Sequence, residues 1–276
     1  AHVLATAIYK NHQPIGLYSH RGFAGFSLAF ASTLSLVALR NKWLPTPIAL
    51  TLILIYTITL SLIKVRGAVL AMIVGWIWFC IKWPQEKKIR LLLVSLCIVG
   101  CLSFGITSNE RRVVNAEIHS SNAYETALKH FTSDRIYLWQ KAWKGFLEKP
   151  LVGSVFSGYS IVEAQRLCPE NTTVSLEKEG HRVYCHTKTG KVISKQAGST
   201  KAHNLFIDNL VSLGLSGTIS YCFLMTLYVN EARFNKSKYL SIVLVYLIYT
   251  FTWYDCGQIS HLGWWVLSIQ VNSDIL

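Results

Sequence analysis

The sequence predicts an all-α, polytopic membrane protein, a helical bundle that carries a large, partly helical loop. Three observations predict it. The 276 residues are 51% hydrophobic and 15% charged, where soluble domains carry about 25% charged residues, and the mean hydropathy is +0.34. The apolar residues gather into several long runs, as membrane helices require. The net charge of +13 sits in short basic clusters between those runs. That is the pattern of membrane topology rather than of a nucleic-acid surface, so membrane lipid is expected as a partner and nucleic acid is not.

Residues 1–22 are polar and rich in His, Gly and Tyr. Four apolar runs follow, Phe23–Leu39, Pro47–Ile63, Ala68–Trp83 and Leu91–Ile106, each near the lower length limit of a membrane helix. A polar stretch occupies 107–202, and three more runs complete the chain at Leu205–Val229, Tyr239–Tyr254 and Ile259–Val271. The expected organisation is an N-terminal membrane part over 1–106, a loop over 107–202 and a C-terminal membrane part over 203–276. No secretory leader is visible, and the opening Ala1-His2 reads as mid-protein sequence, so a fragment lacking earlier membrane helices is expected.

The short loops 40–46, 82–90 and 230–238 carry Arg40 and Lys42, then Lys82, Lys87, Lys88 and Arg90, then Arg233, Lys236 and Lys238. Alternate crossings place all three on one side, the cytoplasmic side by the positive-inside rule. The long loop then lies on the opposite face. It holds 14 Lys/Arg and 9 Asp/Glu, which does not oppose the assignment, because loops beyond roughly 60 residues translocate largely regardless of charge.

Within that loop Ser133-Asp134 can cap a helix. Ile136, Trp139, Trp143, Phe146 and Leu147 recur at helical spacing, and Pro150 and Gly153 end the pattern. An amphipathic helix is expected there, on the membrane surface or over the bundle, with Trp139 and Trp143 suited to the interface. Residues 165–200 read as irregular. Of the seven cysteines, Cys80, Cys97, Cys101 and Cys222 fall in apolar runs and read as small buried hydrophobes. Cys168 and Cys185 lie in the loop and are candidates for a disulfide on an oxidising face; their spacing matches no zinc signature.

The candidate chemistry gathers on the non-cytoplasmic face. Ala202-His203-Asn204 stands where the loop ends and the fifth apolar run begins, nine residues before Gly214-Leu215-Ser216-Gly217. The first turn of that helix is expected to present unpaired N–H groups, a site for an anion. Arg66 sits at the same level at the start of the third run, and Arg135 opens the loop helix. Two arginines near a helix N-terminus suit a phosphate or pyrophosphate, and a histidine beside them can take a proton from a hydroxyl. Asp208 reads as an orienting group and Arg111 as a further contact for the same anion. Each residue also has a plainer reading. His203 and Asn204 can cap a helix, Arg66 can anchor at the interface, and Arg135 can pair with Asp134. Arg111-Arg112 can be solvated, and Gly214 and Gly217 can serve close helix packing.

Three segments in order weigh against the plainer readings. They are Lys64-Val65-Arg66-Gly67-Ala68, then Asp134-Arg135-Ile136-Tyr137-Leu138-Trp139 through Lys149-Pro150-Leu151-Val152-Gly153, then His203-Asn204 with Gly214 and Gly217. Their order and topology resemble the O-antigen ligase and polymerase superfamily. The resemblance implies a metal-independent, inverting glycosyltransferase of the bacterial inner membrane with its active site facing the periplasm and no cofactor. It implies an undecaprenyl-pyrophosphate-linked glycan as donor and lipid A–core as acceptor. His203 would be the base, and Arg66, Arg135 and Asn204 would hold the pyrophosphate. The related O-antigen polymerases and protein O-oligosaccharyltransferases share these motifs, and a non-catalytic lipid-binding or transport subunit is the reading from another class. Members carry more membrane helices than the seven runs counted here.

Overall fold

The computed structural model describes residues 21–82, 90–98 apart from 92 and 97, 135–154, 158–168, 172–176, 182–196, 199–234, 239–253 and 259–271. Eight helices and three strands are named here: α1 Arg21–Arg40, α2 Thr46–Ile63, α3 Arg66–Lys82, α4 Arg135–Glu148, α5 Gly158–Leu167, β1 Thr173–Leu176, β2 Arg182–His186, β3 Val192–Gln196, α6 Leu205–Phe234, α7 Leu240–Thr252 and α8 Ser260–Val271. The described residues of 90–98 are also helical. The chain divides into two compact units: Ala1–His119 with Thr226–Tyr249 and Asp255–Leu276, and Ser120–Met225 with Thr250–Tyr254. The division therefore does not follow the polar-to-apolar boundary at 202–203, because the second unit takes in the start of α6 and the end of α7.

In the first unit α1 is the innermost helix. Phe26, Ala29, Leu36 and Val37 are fully covered, and α2 and α3 both pack on it. Small residues set the crossings. A Cβ on Gly75 of α3 would lie 2.6 Å from Val245 of α7, and one on Gly263 of α8 would lie 2.6 Å from the Tyr246 ring. Such close approach replaces the hydrophobic effect as the adhesive between helices in lipid. Tyr249 donates a buried hydrogen bond to the Gly22 carbonyl at 2.7 Å, tying α7 to α1. The hydroxyls of Thr33, Ser35, Thr57 and Thr59 bond back to carbonyls four residues earlier, which satisfies them without water. α1, α2 and the Leu205–Asn230 part of α6 are long and apolar enough to cross a membrane. α2 instead presents Ile48, Leu54, Ile55, Ile58 and Leu62 outward, as a lipid-facing helix does.

The second unit is built on α4 and α5. Gly145 of α4 lets Val162 of α5 approach, since a Cβ there would lie 2.6 Å from it. Phe146, Tyr159, Val162, Ala202 and Val211 form the buried cluster around that crossing. Lys141 on α4 pairs with Glu163 on α5 at 2.8 Å, and Glu163 is nearly fully buried. The expected irregular 165–200 is corrected: it holds a three-stranded antiparallel meander in the order β1-β2-β3. The all-α reading is corrected with it, to a mostly helical fold with one small sheet. Val183 and Cys185 point inward and are fully covered, opposite Lys195 and Ile193 of β3. This two-residue alternation is the strand signal. Cys168, just past α5, is bonded to Cys185 of β2, so the sheet is fastened covalently to the helix end.

The second and third sequence motifs meet in this unit. α6 is broken at Gly214, whose φ of 65° and ψ of −167° are not helical. Gly153, with φ 71°, lies against the break. A Cβ on Gly214 would stand 2.5 Å from the Leu151 carbonyl, and one on Gly153 would stand 2.5 Å from Gly214 N. Leu215 N–H donates to Pro150 O at 2.8 Å, Ser216 N–H to Leu151 O at 3.3 Å, and Ser154 N–H to Val211 O at 2.7 Å. The turn after α4 thus supplies acceptors for the N–H groups that the break releases, as buried backbone requires. Glycine is needed at both positions, for the left-handed φ and for the backbone-to-backbone approach. The packing reading of Gly214 is refined accordingly: the close partner is a turn, not a second helix.

Candidate active site

The turn that carries His203 is fixed residue by residue. Ala202 is fully buried and held on both sides: its N–H donates to Asp208 Oδ1 at 2.9 Å, and its carbonyl accepts from Trp139 Nε1 at 3.0 Å. His203 follows with φ 56°. A β-carbon makes that region costly, about 1–2 kcal/mol, and residues held there against strain cluster at functional sites. Asn204 then caps α6, its Oδ1 accepting from Phe206 N at 3.0 Å and Ile207 N at 3.1 Å. The chain therefore reverses sharply at His203, between two anchored neighbours.

These contacts correct one expectation. The first turn of α6 is not an open anion site, because Asn204 takes the Phe206 and Ile207 N–H groups and its carbonyl takes that of Asp208. Asn204 is 2% exposed, and its amide oxygen is committed to the cap. Asp208 has the orienting contact, reaching back six residues to Ala202. Its second oxygen is buried and accepts no hydrogen bond among the described residues. The Tyr159 hydroxyl is likewise buried without a partner among them, and burial with the nearby Glu163 and Asp208 charges pushes its pKa up. Buried polar atoms left unmatched mark places where water or ligand is received.

Arg135 and His203 meet the same side chain. The His203 ring lies 4.6 Å from the Trp253 ring, centroid to centroid, tilted by 58°. The Arg135 guanidinium carbon lies 5.8 Å from the centroid of that indole, within cation–π range. Arg135 and Trp139 stand one helical turn apart on α4, so the spacing Arg-x-x-x-Trp aims one side chain at Trp253 and the other at Ala202. Phe251, two residues before Trp253, packs on Phe206 at 6.0 Å and holds the end of α7 against the start of α6. Trp253 was missed in the sequence. An aromatic near the end of an apolar run is common at interfaces, and no spacing links it to His203.

Arg66 belongs to the first unit, where it is the first residue of α3 and exposed. A cation at the positive end of a helix is electrostatically disfavoured. Arg111 and the Ser133-Asp134 cap lie outside the described residues. Among the described residues no three His, Cys, Asp or Glu side chains gather as metal ligands.

A family model described as O-antigen ligase matches residues 49–222, more than half of the chain. All three sequence motifs fall inside that range. No curated protein matches the chain.

Proposed function

This chain belongs to the O-antigen ligase family, and from that premise we propose that it transfers a glycan from undecaprenyl pyrophosphate to lipid A–core at the periplasmic face of the inner membrane. The observation that carries the reading is the pair of side chains on Trp253: a histidine in a strained, doubly anchored turn and an arginine on the same indole. His203 takes the proton of the acceptor hydroxyl, and the hydroxyl oxygen attacks the anomeric carbon. The bond from that carbon to the pyrophosphate oxygen breaks on the opposite face, which inverts the anomeric configuration. The leaving electron pair stays on the pyrophosphate, where Arg135 meets the developing charge. Arg66 joins the reading through its motif and through its own helix end, which favours an anion. Asn204 enters as the cap that fixes the turn. Asp208 enters as its orienting partner. The Cys168–Cys185 bond supports an oxidising location for the loop.

The test is transfer in detergent by purified protein given donor lipid and a choice of acceptors. Glycan on lipid A–core is expected; longer glycan on the carrier lipid would instead make the protein a polymerase. His203→Ala is expected to abolish transfer with the fold retained, and Arg66→Ala and Arg135→Ala to weaken donor use. A chelator is expected to leave the rate unchanged. Normal transfer by His203→Ala would remove the base assignment.

A further inference from the structure

Among the described residues, the second unit carries an exposed apolar edge. Leu147, at the end of α4, is 59% exposed, and Leu151 and Val152, in the turn that follows, are 68% and 73% exposed. Trp143 on the preceding turn of α4 is also exposed, and Lys144 and Lys149 flank the edge in the open. Aromatic and basic residues bordering an aliphatic tip are the composition of a membrane-seeking surface.

Two observations say what covers it. The first is continuity with the outer face of α6. The Leu151 carbonyl accepts from Ser216 N–H and from Ser216 Oγ at 2.8 Å, so the tip is fastened beside Leu213, Leu215 and Ile219, all of them exposed. The second is depth. The apolar part of α6 ends at Asn230, and its straight portion beyond the Gly214 break, residues 215–230, spans about 24 Å at about 1.5 Å per residue, short of a hydrocarbon core of about 30 Å. With its Asn230 end at the far boundary, the break lies about 6 Å inside the hydrocarbon.

We propose that the turn Pro150–Ser154 is re-entrant, with Leu151 and Val152 inserted among the acyl chains of the bilayer. Irregular backbone is admissible at that depth only when its polar groups are satisfied within the protein. The exchange with the broken helix does this for Pro150 O, Leu151 O and Ser154 N–H. The insertion fixes the C-terminal end of α4, and so the level of Arg135 at its other end, against the membrane. It depends on α6 crossing the bilayer and not on which sugar or acceptor is used.

The test places single nitroxide labels on the full chain in phospholipid nanodiscs, with the native cysteines outside the disulfide replaced by alanine. A label at Val152→Cys is expected to collide with dissolved oxygen several-fold more often than with a water-soluble nickel complex. A label at Gly190→Cys, in the open hairpin turn, is expected to show the reverse, and one at Ile219→Cys reports α6 itself. Leu147→Cys substitutes if Val152→Cys does not fold. A label at Val152→Cys (or Leu147→Cys) as accessible to nickel as the Gly190→Cys label, with Ile219→Cys in lipid, would overturn the insertion and leave the membrane span standing. If Ile219→Cys is also aqueous, the insertion falls with the span.

Discussion

Gly214→Ala tests the junction on which the second unit turns. An alanine there meets two separate costs. The first is conformational: φ 65° is disfavoured for a residue with a β-carbon by about 1–2 kcal/mol. The second is steric and falls on backbone, because the new Cβ would stand 2.5 Å from the Leu151 carbonyl carbon and oxygen. Neither atom can rotate away, so the turn must retreat. Retreat breaks the Leu215–Pro150 and Ser216–Leu151 bonds, each worth about 1 kcal/mol net and more where no water replaces it. The expected destabilisation is about 4 kcal/mol in all, which corresponds to roughly a 10 °C fall in Tm for a chain of this size. Gly190→Ala is the control. Its φ of 81° carries the conformational cost, but nothing lies within 4 Å of its Cβ, so a fall of no more than about 5 °C is expected. Thermal unfolding of both variants in one detergent, followed by tryptophan fluorescence, checks the difference. Equal Tm values for the two would refute the backbone lock.

Asp208→Ala strands the Ala202 N–H and should lower kcat about tenfold, from about 1–3 kcal/mol of lost positioning, with donor KM little changed. Asp208→Asn keeps an acceptor and should restore most of it; equal loss in both variants would point away from an orienting contact. Trp253→Leu removes the ring shared by His203 and Arg135 and should raise donor KM and lower kcat, while Trp253→Phe, which keeps a face for the guanidinium, should recover part of both in a steady-state assay. Reduction of the Cys168–Cys185 bond, which closes a separation of 17 residues, should destabilise the loop by about 3 kcal/mol; proteolysis of the 169–196 region with and without reductant reads this directly. Glu163→Gln neutralises the buried member of the Lys141–Glu163 pair and leaves Lys141, 22% exposed, over the Tyr137 ring; a fall of several degrees in Tm is expected, since a charge-assisted hydrogen bond contributes about 1.5–3 kcal/mol.

The apolar helices were legible in the sequence because their cause is local. A run of apolar residues must be helical in lipid to satisfy its own backbone. The expected runs accordingly coincide with α1, α2, α3, α7 and α8 to within a few residues. The loop helix was legible for the same kind of reason, since its apolar positions recur at 3.6 residues and Pro150 stops it. The small sheet was not. Its strands are four or five residues long, and the face they bury packs on Ala164 and Cys168 at the end of α5, a contact that no run in the chain announces.

At the candidate site, the order of residue types was readable from the chain alone: an arginine opening a helix, a second arginine before a Trp, and a histidine before a capping Asn. What each does with its neighbours was decided by tertiary structure, because the contacts join residues far apart in the chain. Trp139 reaches Ala202 across 63 positions, and Trp253 meets both Arg135 and His203. The same holds for Gly153 and Gly214. Each reads alone as a loop or packing glycine. Only the fold shows that they are the two sides of one contact, in which a turn replaces the hydrogen bonds of a broken helix.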